Sequence, residues 1–197
     1  MTAGTCEFSM TMIKDYSLVS HRQRFSAWAA STAARSSPKC RFSVAQGFTL
    51  LCQSGFTANA SSWDQIPNAE DFDAWHRRRC GELICSATDV IGDGDRKEFT
   101  HGVAAKLINT YLKSMFIAPS APADEKKMMA IHPPIDRLLL THLAQKNVGD
   151  RQHLWRKFAA IGWSSFNSAD YQAVIDEIRS VTDGELWRIE IYWRGYQ

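Results

Sequence analysis

The chain has 197 residues, of which 45% are hydrophobic and 22% are charged, and its formal net charge is +2. This length fits one globular domain, and the composition excludes long disordered regions because it supplies enough apolar surface for a core. The charge is too small to indicate a dedicated nucleic-acid-binding protein, whose pI usually exceeds about 9. No apolar stretch reaches the roughly 18 residues of a membrane span, and residues 1–12 lack the pattern of a secretory signal. We therefore expect a cytoplasmic protein that does not contact membranes.

The hydrophobic periodicity predicts an all-α protein, a single bundle of about seven helices. Residues 1–16 show no periodicity, and we expect a loose tail there, followed by one domain over residues 17–197. Apolar residues recur every three or four positions in segments that end at Pro, Gly or polar runs. These segments predict helices near residues 18–34, 38–54, 69–88, 101–116, 135–145, 151–160, 169–181 and 185–193. In the first of these helices Phe25 and Trp28 are expected to face inward, and in the second Phe48 and Cys52.

The clearest predicted helix covers residues 101–116 and follows a capping residue, Thr100. Its apolar face is broad and comprises Val103, Ala104, Leu107, Ile108, Tyr111, Leu112 and Met115. We therefore expect this helix at the centre of the bundle. Residues 118–130, which contain two prolines and mixed charges, predict a flexible loop. The alternating pattern of residues 185–193 would suit a strand, but a lone strand leaves its backbone groups unpaired, so a helix is predicted there.

Polar residues on the central helix, together with those of a later segment, define the preferred candidate site. Lys106, Asn109 and Lys113 form a polar face of that helix, and His132 and Asp136 belong to the later segment HPPIDRLLL. If these groups meet in space, they form a site for a small anionic ligand or for a protein partner. The alternative is structural, because a buried pair between Lys106 and Asp136 would simply brace two helices.

Neither a metal nor a cofactor is predicted. The five cysteines contain no C-x-x-C pair, and no second pair completes a zinc site with Cys80 and Cys85. The six histidines contain no H-E-x-x-H spacing. We expect reduced and mostly buried thiols, and a metal site assembled in three dimensions is the alternative left open.

Two segments carry a resemblance to known sequences. The pattern GVAAKLINTYLK at residues 102–113 and HPPIDRLLL at residues 132–140, with Trp163 and Tyr171 downstream, resembles uncharacterised small bacterial proteins, some of them on mobile elements. The likeness covers about half of the chain. It implies a bacterial, cytosolic origin and brings no function with it.

A second pattern is Arg followed by four residues and then His, at Arg96–His101 and Arg137–His142. It resembles the signature of HEPN-family ribonucleases, and the resemblance implies acid–base chemistry by His142 on the RNA 2′-hydroxyl, with Arg137 near the phosphate. Leu138 departs from that family's pattern, which commonly has a polar residue after the Arg. Chance alone predicts roughly one such match in this composition.

The sequence therefore predicts a binding module without catalysis of its own, because no nucleophile elbow, phosphate-binding Gly loop or dinucleotide fingerprint is present. The alternative is an RNA-cleaving or RNA-binding protein that uses Arg137 and His142. The high aromatic content is compatible with a homodimer, but no segment locates its interface.

Overall fold

The computed structural model describes residues 16–35, 37–95, 97–119 and 124–195. Within these residues every regular element is helical, apart from an isolated bridge between Cys40 and Lys97. The α-helices are α1 (Leu18–Ala34), α2 (Val44–Gln53), α3 (Phe56–Asn59), α4 (Phe72–Ile91), α5 (His101–Leu112), α6 (Glu125–Ala130), α7 (Arg137–Gln145), α8 (Gln152–Ile161) and α9 (Ser168–Val181). Short 3₁₀ helices lie at Trp63–Gln65, Ala69–Asp71, Val148–Asp150, Trp163–Ser165 and Leu186–Tyr192. The predicted all-α bundle is confirmed.

Helix α5 lies at the centre of the bundle, as its apolar face predicts. It packs against α1, α4, α9 and the 3₁₀ helix at Trp163–Ser165. Leu107 and Ile108 are fully buried, and so is Tyr111. The Thr100 hydroxyl caps the helix by accepting from the backbone N–H of Val103. The central position of α5 explains why its polar residues reach both a surface pocket and the interior.

The predicted inner faces of α1 and α2 are wrong. Phe25 and Trp28 are 56% and 52% exposed, whereas the small residues Ala27 and Ala30 are fully buried. Small side chains let the axis of α1 approach α5 closely, and large ones on that face would hold the two helices apart. On α1 both the large and the small residues recur every three or four positions. Periodicity alone could therefore not show which of the two faces is buried.

In α2 the buried positions are Gly47, Leu50 and Leu51, while Phe48 and Cys52 are exposed. A Cβ at Gly47 would collide with the Ser31 side chain, so this glycine brings α2 directly onto α1. The helix begins at Val44 and not near Pro38, because Ser43 and Gln46 form a capping box there.

A further glycine sets the position of the start of α5. A Cβ at Gly102 would overlap the carbonyl oxygen of Trp163, and the Gly102 N–H donates to the carbonyl of Phe166 at 3.0 Å. Backbone therefore packs on backbone at this crossing. The contact fixes the position of His101 and, one helical turn after Gly102, that of Lys106.

The less regular regions differ from expectation in part. The predicted loop near residues 118–130 contains α6, which Asp124 caps through the backbone N–H of Lys127. The predicted helix near residues 185–193 is present as the 3₁₀ helix Leu186–Tyr192. The predicted tail lies outside the described residues except for Tyr16. Among the described helices, none combines the length and apolar character that a membrane crossing requires.

Candidate functional site

The structure divides the five predicted ligand-binding residues between two places. Lys106, Lys113 and Asp136 surround a surface pocket, whereas Asn109 and His132 are fully buried in a polar network. Lys106 and Lys113 are two turns apart on α5 and point the same way, but Asn109 is rotated about 60° from Lys106 around the helix axis. That rotation takes Asn109 from the pocket into the core. The five residues that the sequence grouped as one site therefore lie in two separate places.

The pocket has a volume of about 320 Å³ and lies between α5 and the C-terminal 3₁₀ helix. Its walls contain Ala33, Lys106, Thr110, Lys113, Ser114, Pro134, Asp136, Glu190 and Trp193. Lys113 begins a single π-helical turn, Lys113–Ile117, that continues α5. Such turns occur frequently at functional sites.

The charges of the pocket form two pairs. Lys113 forms an ion pair with Glu190, and the Lys106 ammonium lies 3.7 Å from Asp136 Oδ2 and 4.4 Å above the Trp163 ring. Burial lowers the pKa of Lys106, and the Asp136 charge opposes that effect. Burial likewise raises the pKa of Glu190, against the effect of Lys113. Both pairs are therefore partly desolvated charges.

Asp136 is already engaged by other donors. Its Oδ1 accepts from the backbone N–H of Leu139 at 2.9 Å and so caps α7, and its Oδ2 accepts from the indole N–H of Trp193 at 2.9 Å. The Lys106 side chain is only 12% exposed, yet its ammonium has no hydrogen-bond acceptor among the described residues, because 3.7 Å is too long for a hydrogen bond. This ammonium lines the pocket, and its ion pair with Asp136 and its contact with the Trp163 ring leave room for an acceptor there.

The second place is a buried hydrogen-bond network that connects α4, α5, α9 and the segment before α7. Asn109 Nδ2 donates to the carbonyl of Pro133 at 2.9 Å and to the Tyr171 hydroxyl at 2.7 Å. Asn109 Oδ1 lies 2.8 Å from His76 Nε2, and the Tyr171 hydroxyl lies 3.1 Å from His132 Nδ1. These four side chains are 0–3% exposed, so the network is isolated from water.

The direction of each hydrogen bond in this network follows from Pro133. A carbonyl can only accept, so the Asn109 atom facing it must be the amide nitrogen. Asn109 Oδ1 must then accept from His76, which places the His76 proton on Nε2. The Tyr171 hydroxyl accepts from Asn109 and so donates to Nδ1 of His132, and the His132 proton is on Nε2.

Asp73 ends the network near the surface. Its carboxylate accepts from His132 Nε2 at 3.0 Å, from Gln172 at 2.7 Å and from Arg179 at 2.8 Å. Burial would raise the pKa of Asp73, but the hydrogen bond from His132, together with Gln172 and the charge of Arg179, holds that pKa below its usual value. A charged carboxylate therefore orients His132.

Further side chains next to this network were not predicted as site residues. Cys80 Sγ lies 3.7 Å from His76 Nδ1, and the His101 ring is 6.5 Å from the His76 ring between centroids. His76 and Cys80 are four residues apart on α4, and this spacing of two metal-ligand types was the sequence signal that could have identified them. Asp73 precedes His76 by three residues on the same face. Nothing local in the sequence marks Arg179 or Gln172 as their partners.

The residues of the ribonuclease hypothesis do not meet in one groove. His142 lines a groove of about 230 Å³ with Lys146, Ile191, Tyr192 and Arg194, whereas Arg137 is exposed and does not line it. Five residues on a helix are about 140° apart, so the two side chains leave α7 in different directions. Of the other pair, His101 is buried and Arg96 lies outside the described residues. The hypothesis stays a prediction.

The buried histidines predict a protein that loses stability in mild acid. Burial holds the pKa of His76 well below its ordinary value, lowers that of His132 and lowers that of His101 to about 4. As the pH falls below 6.5, the unfolded chain binds protons to these groups more readily than the folded chain does. The contribution of these histidines to stability should therefore be present above pH 6.5 and decrease as the pH falls, by about 1 kcal/mol for His101 at pH 5.5.

Urea unfolding at pH 7.5 and pH 5.5 measures this effect, with His153→Gln, which removes an exposed imidazole, as the control. The control should lose as much stability in acid as the parent. Equal unfolding free energies of the parent at the two pH values would contradict neutral, buried histidines.

Comparison of the chain with protein-family models, with curated proteins and with solved structures found no match in any of the three.

Proposed function

We propose that this protein is a binding module for a small ligand with an anionic group, which binds in the pocket between Lys106 and Lys113. The observation that carries the proposal is the Lys106 ammonium, which is nearly buried, faces the pocket and has no hydrogen-bond acceptor among the described residues. An ammonium has three donors, and the ion pair with Asp136 at 3.7 Å and the contact with the Trp163 ring leave these donors without an acceptor at hydrogen-bond distance. A carboxylate or phosphate oxygen in the pocket would supply the missing acceptor.

The acidic residues narrow the class of ligand. Asp136 and Glu190 face the two lysines, so the charges of these four side chains cancel. A bare anion would have to approach two carboxylates, whereas a zwitterion can place its anionic group at Lys106 and its ammonium group near Glu190. A volume of about 320 Å³ is at the small end of ligand pockets. We therefore propose a zwitterion of amino-acid size as the ligand.

Binding without catalysis fits the state of the two carboxylates. Asp136 already accepts from Trp193 and Leu139, and Glu190 is paired with Lys113. Neither is a free general base.

The pairing also supports the competing structural interpretation, in which Lys106 and Asp136 only brace α5 against the start of α7. The length of the Lys106–Asp136 contact favours a ligand site over a structural ion pair, because a structural pair is expected to lie at hydrogen-bond distance.

Thermal unfolding with a panel of free amino acids, acetate and inorganic phosphate tests the proposal. We expect a saturable stabilisation by at least one amino acid and little by acetate or phosphate alone. A ligand at 100 times its Kd should add about 2.7 kcal/mol to the unfolding free energy. Lys106→Met should abolish this gain, and Lys157→Met, which changes an exposed lysine on α8, should keep it.

Two outcomes would contradict the proposal. One is a panel without any saturable shift, combined with a Lys106→Met protein that is as stable as the parent or more so, since that combination identifies a brace. The other is a ligand whose stabilising effect is unchanged in Lys106→Met, since that ligand binds elsewhere.

A further inference from the structure

The side chains of His76, Cys80 and His101 converge in the interior, away from the Lys106 pocket. Each offers one ligand atom, and these three atoms lie within 4.8 Å of one another. His76 and Cys80 come from adjacent turns of α4, and His101 is the first residue of α5. All three are buried, and His101, at 8% exposed, is the most accessible.

The separation of the atoms suits a metal ion. With metal–sulfur bonds of about 2.3 Å and metal–nitrogen bonds of about 2.0–2.1 Å, a thiolate and an imidazole bound to the same Zn²⁺ are roughly 3.5–3.8 Å apart. His76 Nδ1 and Cys80 Sγ are 3.7 Å apart. The third atom, on His101, lies within 4.8 Å of the other two, so an approach of at most about 1.5 Å completes the triangle.

The hydrogen-bond network prepares His76 to act as a ligand. Asn109 Oδ1 accepts the Nε2 proton of His76, so the lone pair is on Nδ1, the nitrogen that faces Cys80. Asn109 is itself held by Pro133 and Tyr171. A ligand histidine whose second nitrogen donates to a fixed oxygen is the usual arrangement in protein metal sites, because that bond orients the ring. His101 has ring contacts with His76 and Tyr171 and no hydrogen bond among the described residues, so either of its ring nitrogens could bind a metal.

We propose that His76, Cys80 and His101 form a binding site for one thiophilic cation of the Zn²⁺ type. A ligand set of two imidazoles and a thiolate binds Zn²⁺ in preference to Mg²⁺ or Ca²⁺. On binding, the Cys80 S–H bond breaks, the metal–sulfur bond forms and the proton passes to the buffer. The described residues supply three of the four ligands of a tetrahedral ion.

Cobalt substitution tests the site directly. Co²⁺ is added to metal-free, reduced protein, and absorption is recorded in the near-ultraviolet, where thiolate-to-cobalt charge transfer appears, and in the visible. We expect saturation at one ion per chain, and displacement by Zn²⁺ should remove both bands. Cys80→Ser should lose the charge-transfer band, and His101→Gln should weaken Co²⁺ binding at least tenfold.

The controls separate this site from other cysteines and from the proposed pocket. Cys85→Ser changes an exposed thiol on the same helix and should leave the cobalt spectrum unchanged. Lys106→Met should also keep it, so failure of the pocket proposal and failure of this one are distinguishable. Circular dichroism establishes that each variant is folded, and if Cys80→Ser does not fold, the loss of Co²⁺ affinity in folded His101→Gln decides, with Cys85→Ser as the control.

A folded parent that takes up no Co²⁺ would overturn the proposal and would leave Cys80 as a thiol that donates to His76 Nδ1. A charge-transfer band that survives in folded Cys80→Ser would overturn it as well.

Discussion

Replacing Gly102 with alanine should lower the free energy of unfolding by about 3 kcal/mol, the upper end of the cost of overpacking a core. The added Cβ would overlap the Trp163 carbonyl oxygen, which belongs to the backbone and cannot move aside as a side chain can. The helix start would have to shift, and the hydrogen bond from Gly102 to Phe166 would be lost or lengthened. The gain of about 1 kcal/mol in helix propensity from Gly to Ala offsets only part of this cost.

Urea denaturation measures this effect, and Gly81→Ala is its matched control. Gly81 is in the middle of α4, and a Cβ there meets no atom within 4 Å. The control should therefore be more stable than the parent by about 0.5–1 kcal/mol. If Gly102→Ala were stabilised in the same way, α5 and the Trp163 segment could not be packed backbone to backbone.

Replacing Asn109 with alanine should cost about 3–5 kcal/mol, because one truncation removes three hydrogen bonds. The Pro133 carbonyl and the His76 Nε2–H would lose their partners in a region without water, and Tyr171 would lose its donor. An unsatisfied buried group costs about 1–3 kcal/mol, so the effect exceeds that of an ordinary polar deletion.

Asn68→Ala is the control for this experiment, since Asn68 is exposed and its side chain makes no capping bond. It should change stability by less than about 0.5 kcal/mol. A second variant, Asn109→Asp, keeps the shape but replaces the donor to Pro133 by an acceptor, and it should also be strongly destabilised. A loss below about 1 kcal/mol in Asn109→Ala would show that the network is not closed to water.

The fold could be predicted from the sequence where the apolar face of a helix is compatible with only one position in the bundle. The apolar face of α5 is so broad that only a central position buries Leu107, Ile108 and Tyr111 together. On α1, by contrast, large residues such as Phe25 and small residues such as Ala27 follow the same spacing. The choice between them depends on how near α5 approaches, which is a tertiary property.

One contact of the candidate site could be predicted from the sequence for a similar reason. The proximity of Lys106 and Asp136 follows from two segments that both flank the core, and the structure places them 3.7 Å apart. The other pairs span distant parts of the chain, and Arg179 reaches Asp73 across 106 residues. Such pairings depend on the packing of α9 against the rest of the bundle, and no local spacing reports them. His76 and Cys80 were the exception, since their helical spacing was visible.

The Pro133 carbonyl has a consequence for how the interior responds to protonation. His76 and His132 have ring centroids only 4.5 Å apart and are joined through Tyr171 and Asn109. If His132 took up a proton, the Tyr171 hydroxyl would have to turn its hydrogen elsewhere. Asn109 could not reverse in response, because its amide would then present oxygen to oxygen at Pro133. The rearrangement stops at Asn109, so the tautomer of His76 is independent of events at the Asp73 end.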